Sequence, residues 1–222
     1  LRERAPDRFV ELVPSLKQLL CDHAPVLVID AASMRVQVGI FNADGTARWA
    51  TQTDEAGIAI FRCVEQLAVE ISTVKAFVFC EGPGSTLGIR TAAMAIRTWQ
   101  TLLPRTCFAY SSLALVAHAL AQPEITVIAD ARRDSWHSQK AAEALRRVTT
   151  AELTGPLVTP EHFRHWTPLP DGVAITPYDV PALLALAAST ELFHATQAPD
   201  AFLHEEPSYA SWIPQVHRAP AP

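Results

Sequence analysis

One ten-residue stretch, Glu81-Gly82-Pro83-Gly84-Ser85-Thr86-Leu87-Gly88-Ile89-Arg90, gathers residue types that can cradle an anion or a partner. Gly82 and Gly84 reach backbone angles closed to other residues, and Pro83 stiffens the turn between them. Ser85 can cap a following helix by accepting the amide of Leu87 or Gly88. Gly88, without a side chain, lets another backbone or a ligand come close. Arg90 puts a cation in the first helical turn, where the macrodipole disfavours it, so an anionic neighbour is expected. Spacing alone supports two readings: an anion or partner site at a helix N-terminus, or a tight strand-to-helix connection. The stretch is neither GxxxxGK[ST] nor GxGxxG, and with no lysine for a phosphate it is no P-loop.

Other chemistry-bearing residues give less. Asp30 and Asp130 each end an apolar run, Asp30 with Ser33 three positions on and Asp130 followed by Arg132 and Arg133. The second group reads as a structural ion-pair cluster at a strand end, with a binding site as the alternative. The histidines are scattered: there is no HExxH, His162 and His165 lie in a proline-bounded segment, and Pro207 follows His204-Glu205-Glu206, so no helical zinc site is predicted. There is no Gly-x-Ser-x-Gly elbow, and spacing names no histidine partner for Ser85. No catalytic residue and no metal site are assigned. Cys21, Cys63, Cys80 and Cys107 form no CxxC pair and read as reduced, buried thiols.

The elements that must position these residues follow from hydrophobic patterning. Val26 to Ile29, ending at Asp30, is a continuously apolar run suited to a central strand. Val36, Val38 and Ile40 alternate toward an Asn42-Ala43-Asp44-Gly45 turn, with a third strand around Trp49 and Ala50. A helix is predicted over 55–71 with Ile58, Phe61, Val64, Ala68 and Ile71 on one face. A buried strand over 76–80 feeds the glycine loop, and a helix runs over 89–103 to Pro104. Further strands are read at 106–110 and 125–129, with a helix over 113–121 between them. Eleven of the 17 prolines lie beyond Ala151, which predicts a loop-rich region with one strand near 173–175 and one helix over 180–188. The domain reading is an N-terminal helical arm over 1–24, a first lobe over 25–105 and a second over 106–222 whose C-terminal segment returns to the first. No internal repeat is visible in the sequence.

Bulk composition sets limits. In the 222 residues, 49% are hydrophobic and 18% charged, enough to bury a core and far from a disordered composition. A net charge of −5 argues against autonomous nucleic-acid binding, so any RNA role would run through another protein. No apolar run is long enough to span a membrane, and the first residues lack the apolar core of a signal peptide; a cytoplasmic protein is expected.

GPGSxxGxR after a buried strand, in a chain that opens with an apolar strand ending in Asp, a hairpin and a helix, resembles the TsaB (YeaZ) family. Asp130-Ala131-Arg132-Arg133, Tyr110-Ser111-Ser112-Leu113 and Glu206-Pro207-Ser208-Tyr209 resemble three further family segments in the same order. The chain departs at Thr86-Leu87, where the family reads Phe-Thr, and at Asp30-Ala31-Ala32, where it reads Asp-Thr-Ser. The resemblance implies an α/β fold of the actin-like, Hsp70-like ATPase-domain (ribonuclease H-like) class, with two lobes of mixed sheet flanked by helices. It implies an accessory subunit, inactive alone, that pairs with a TsaD-like catalytic subunit, or with itself, to make N6-threonylcarbamoyladenosine in tRNA. No cofactor is expected for the chain by itself, with a nucleotide at the partner interface left open. The candidate interface is helix 89–103, where Ala92, Ala93 and Ile96 would allow close approach and Trp99 would anchor; covering the chain's own sheet is the alternative. The rival functions are a glycoprotease-like peptidase, a label this superfamily has carried, and an actin-like ATP-binding protein.

Overall fold

The computed structural model describes residues 13–202. Of the predicted arm, this includes α1 (Leu16–His23), started by a capping box in which Ser15 and Gln18 exchange side-chain and backbone bonds. Leu16 and Leu19 are buried in the main core, so this helix covers a core edge. Phe9 and Leu12 of the arm, and the segment Glu206 to Tyr209, lie outside the described residues.

The first sheet grows outward from β1 (Val26–Asp30). It pairs antiparallel with β2 (Val36–Phe41), which pairs with β3 (Ala47–Gln52). On its other side β1 runs parallel to β4 (Ala76–Gly82), and β4 runs parallel to β5 (Thr106–Ser111). Every residue of β1 is buried, as a central strand covered on both faces requires. Between β3 and β4 lies α2 (Ala56–Gln66); between β4 and β5 lies α3 (Thr86–Leu102); after β5 comes α4 (Ser112–Leu120). The predicted break at 106 is therefore corrected. Strand β5 completes the first sheet because its apolar residues Cys107 to Tyr110 pack beside β4, and the second sheet begins only at Thr126.

The second sheet repeats the first. β6 (Thr126–Asp130) forms an antiparallel meander with β7 (Ser135–Gln139) and β8 (Arg146–Thr149), and pairs in parallel with β9 (Leu157–Pro160), itself parallel to β10 (Ala174–Thr176). The orders β3-β2-β1-β4-β5 and β8-β7-β6-β9-β10 are the same, with the same strand directions. A helix, α5 (Val180–Leu186), follows β10 as α4 follows β5. The difference lies in the connections. Where the first unit has α3, the second has only the loop after β9. Finally β11 (His194–Ala195) pairs antiparallel with β5, and the chain returns along the first sheet. Among the described residues no helix is long and apolar enough to cross a membrane.

Two predicted faces are corrected. Helix α2 buries Ala59, Ile60 and Cys63, followed by Leu67, and leaves Ile58 and Phe61 about half exposed. The helix carries two apolar stripes, and the smaller one lies inward, where α2 packs against β2, β3 and α3. In α3 the inward face is Ala92, Ala93, Ala95, Ile96 and Trp99, all buried, with Trp99 stacked on Phe77 of β4 at 5.7 Å. Ala92, Ala93, Ile96 and Trp99 thus serve their own lobe; the outward apolar positions of α3 are Leu87, Met94 and Leu102. Three of the four thiols are buried as predicted, and Cys21 is exposed.

Candidate functional site

The glycine loop is shaped by contacts within the chain. Ser85 caps α3 by accepting the Gly88 amide at 3.3 Å, so the helix begins at Thr86, three residues before the predicted start. The Ser85 amide donates to the Ala32 carbonyl at 2.7 Å. A Cβ on Gly84 (φ +151°) would lie 2.3 Å from that same carbonyl oxygen, and one on Gly88 would lie 2.3 Å from the Ala31 oxygen. Both glycines are therefore required by the turn after β1, which presses into the loop. Ser112 Oγ donates to the Pro83 carbonyl at 2.5 Å, tying the loop to the start of α4. Arg90 has its expected anionic neighbour: Asp200 lies 3.8 Å from Arg90 and 3.2 Å from Arg97. The Phe202 amide donates to the Glu81 carbonyl at 2.7 Å, so the returning segment is fastened beside the loop.

Asp30 is sealed beneath this contact. Tyr110 and Tyr178 both donate their hydroxyls to its Oδ2, at 2.6 and 2.7 Å, and the Ala32 amide donates to Oδ1 at 3.0 Å. All three side chains are essentially fully buried. Burial raises the Asp30 carboxyl above its ordinary range, partly offset by the two tyrosine hydroxyls and the Ala32 amide. Gln37 completes the seam by bonding the backbone on both sides of Asp179, to the Tyr178 carbonyl and from the Val180 amide, each at 3.0 Å. Ser33, also buried, bonds the Arg35 backbone.

This geometry tests the ligand that an actin-like fold implies, a nucleotide phosphate with its metal ion. The residues present do not fit it. The acid of the first strand accepts two tyrosines instead of facing a cleft, and the space over Gly84 and Gly88 is filled by the carbonyls of Ala32 and Ala31. Among the described residues no group of three or more His, Cys, Asp or Glu side chains is arranged to hold a metal.

The second strand-end acid has a different setting. Asp130 accepts the amides of Arg132 (2.5 Å), Trp166 (2.6 Å) and Thr167 (2.7 Å). Partial burial pushes its carboxyl upward, but the amides of Thr167, Arg132 and Trp166 outweigh this and hold it below the usual range. The predicted ion-pair cluster is thus corrected: Asp130 engages backbone amides, while Arg132 lies 5.1 Å over the Trp166 ring. Arg132, Arg133 and Asp134 all have left-handed backbone (φ 64°, 53° and 53°), a run of strained non-glycine residues in the turn between β6 and β7.

The two motif loops meet. A cleft of about 240 Å³ is lined by Gly82 to Leu87 on one side and Asp130, Arg132, Arg164 and Trp166 on the other, with Phe202 at its edge. Arg164 and Trp166 come from the loop after β9 and were not singled out by sequence.

No protein-family model matches the chain, and no curated protein matches it in sequence. Solved structures do match. YeaZ from Pseudomonas aeruginosa is 21% identical, with a TM-score of 0.58 over 80% of this chain and 99% of YeaZ. An uncharacterized protein with similarity to peptidase YeaZ from Pseudomonas aeruginosa is 20% identical, with a TM-score of 0.58 over 81% of this chain and 99% of the other. At these identities the likeness establishes the fold: this chain has the two-sheet α/β architecture of YeaZ, the fold that its motifs implied.

Proposed function

We propose that the chain is an accessory subunit, inactive alone, that pairs through α2 and α3 with a TsaD-like catalytic subunit in tRNA N6-threonylcarbamoyladenosine formation. The observation that carries this reading is the outward face of the two packed helices. Ile58 and Phe61 on α2, with Leu87, Met94 and Leu102 on α3, are between half and about four-fifths exposed although apolar. Apolar groups grouped on neighbouring elements favour burial against a partner. The filled phosphate cradle and sealed Asp30 favour a supporting role over autonomous nucleotide chemistry, and the net charge of −5 favours reaching tRNA through the partner. A nucleotide bound where the two subunits meet is compatible with this reading.

The test is co-elution of the purified chain with a TsaD-type subunit on a sizing column. A stable complex is expected, and Met94→Glu with Leu102→Glu should abolish it while leaving the melting temperature nearly unchanged, since these side chains are 58% and 81% exposed. Failure of the unmodified chain to co-elute, together with unchanged tRNA modification in a strain lacking it, would sink the proposal. Self-association through the same face, lost in the same variant, would instead identify a homodimer.

A further inference from the structure

We propose that the cleft between the two sheets binds a small oxyanion, a carboxylate or phosphate group, gripped by Arg132 and Arg164. Both side chains line the cleft. Among the described residues neither guanidinium has a hydrogen-bond acceptor or an acidic partner. Arg132 is nevertheless positioned: its guanidinium carbon lies over the Trp166 ring, 5.1 Å from the centroid, in a cation–π contact. A cation–π contact over a ring face leaves guanidinium N–H groups available to a further acceptor. The result is a guanidinium placed at the cleft with its donors open, the group that grips carboxylate or phosphate oxygens in pairs.

The acids of the cleft define what fits. Asp130 stays ionised but is bonded by three backbone amides, and Glu81 lies 3.3 Å from His194 Nε2. Their remaining field disfavours a polyphosphate and tolerates a single oxyanion group between the arginines. A volume of about 240 Å³ also falls below the roughly 300 Å³ at which pockets for drug-sized ligands begin. The occupant is therefore a small molecule bearing one such group. The site touches the proposed partner face only at Leu87; its arginines come from the loops after β6 and β9, and it needs no partner subunit.

The test is calorimetric titration of the isolated full chain with inorganic phosphate and, separately, with benzoate. Saturable binding of one or both is expected, and which probe binds more tightly tells a phosphate ligand from a carboxylate. The Arg132→Ala, Arg164→Ala double variant should weaken binding at least about tenfold, and Arg132→Lys, which keeps the charge but loses the fork, should also weaken it. Both arginines are exposed, so an unchanged melting temperature is expected and separates lost binding from lost fold. No saturable binding of either probe up to about 10 mM, or binding undiminished in the double variant, overturns the proposal.

Discussion

Asp30 and Asp130 hold the same place in two copies of one topology. Each ends the central strand of its sheet, and each accepts the amide two residues on, from Ala32 and from Arg132. The local turn is shared; the surroundings are opposite. Asp30 is covered by Tyr110 and Tyr178 and pressed by the glycine loop, while Asp130 lies at a cleft and bonds the backbone of the facing loop. The first unit carries a long helix after β4 whose N-terminal loop closes over the acid. The second has only a loop after β9, so its acid stays accessible. A strand-end carboxylate thus says little about chemistry until the element opposite it is known.

The comparison can be broken by substitution. Asp30→Ala should have the largest effect, a loss of about 3 kcal/mol or more in urea unfolding, because two buried hydroxyls lose their acceptor and a void remains. Gly84→Ala and Gly88→Ala should each cost about 2 kcal/mol by forcing a Cβ against the carbonyl of Ala32 or Ala31. A cost within about 0.5 kcal/mol at either glycine would show that the loop does not press on the turn after β1. Asp130→Ala should cost only about 1 kcal/mol, since solvent can replace part of what the carboxylate supplies.

The two acids should also differ in the sign of their pH dependence. Asp130 has a lowered carboxyl pKa, so its contribution is full above the unfolded value near 3.8 and is lost as pH falls through the folded value. Asp30 has a raised pKa, so its contribution is greatest below 3.8 and declines as pH rises through the folded value. Unfolding curves between about pH 3 and pH 7 should therefore show the Asp130→Ala deficit shrinking toward acid and the Asp30→Ala deficit growing. Parallel trends would remove the electrostatic half of the comparison.

Much of the first unit was legible in the sequence because its strands are apolar and its connections punctuated. The run Val26 to Ile29, the Asn42 to Gly45 turn and the Ser85 cap all appear where residue type predicts them. The second unit was poorly legible. Strands β7 (Ser-Trp-His-Ser-Gln) and β8 (Arg-Arg-Val-Thr) lack apolar alternation, and β9 ends in a proline, so the repeat of topology is invisible to periodicity. The motif residues were found, but their roles were not. Gly84 and Gly88 meet Ala31 and Ala32 across more than fifty positions of chain, and Tyr178 reaches Asp30 across 148. Such contacts are set by topology, and local spacing does not encode them.

The central claim is that the first-strand acid is a structural pin and not a functional group kept at a cost to stability. Side-by-side urea unfolding of Asp30→Ala and Asp130→Ala at about pH 4, where the Asp30 contribution is near its greatest, tests it most directly. The account expects the Asp30 variant to lose at least about twice as much free energy as the Asp130 variant. An Asp30→Ala protein as stable as the parent, or more stable, would contradict it, because removing an acid strained for catalysis relieves the fold and removing a pin does not.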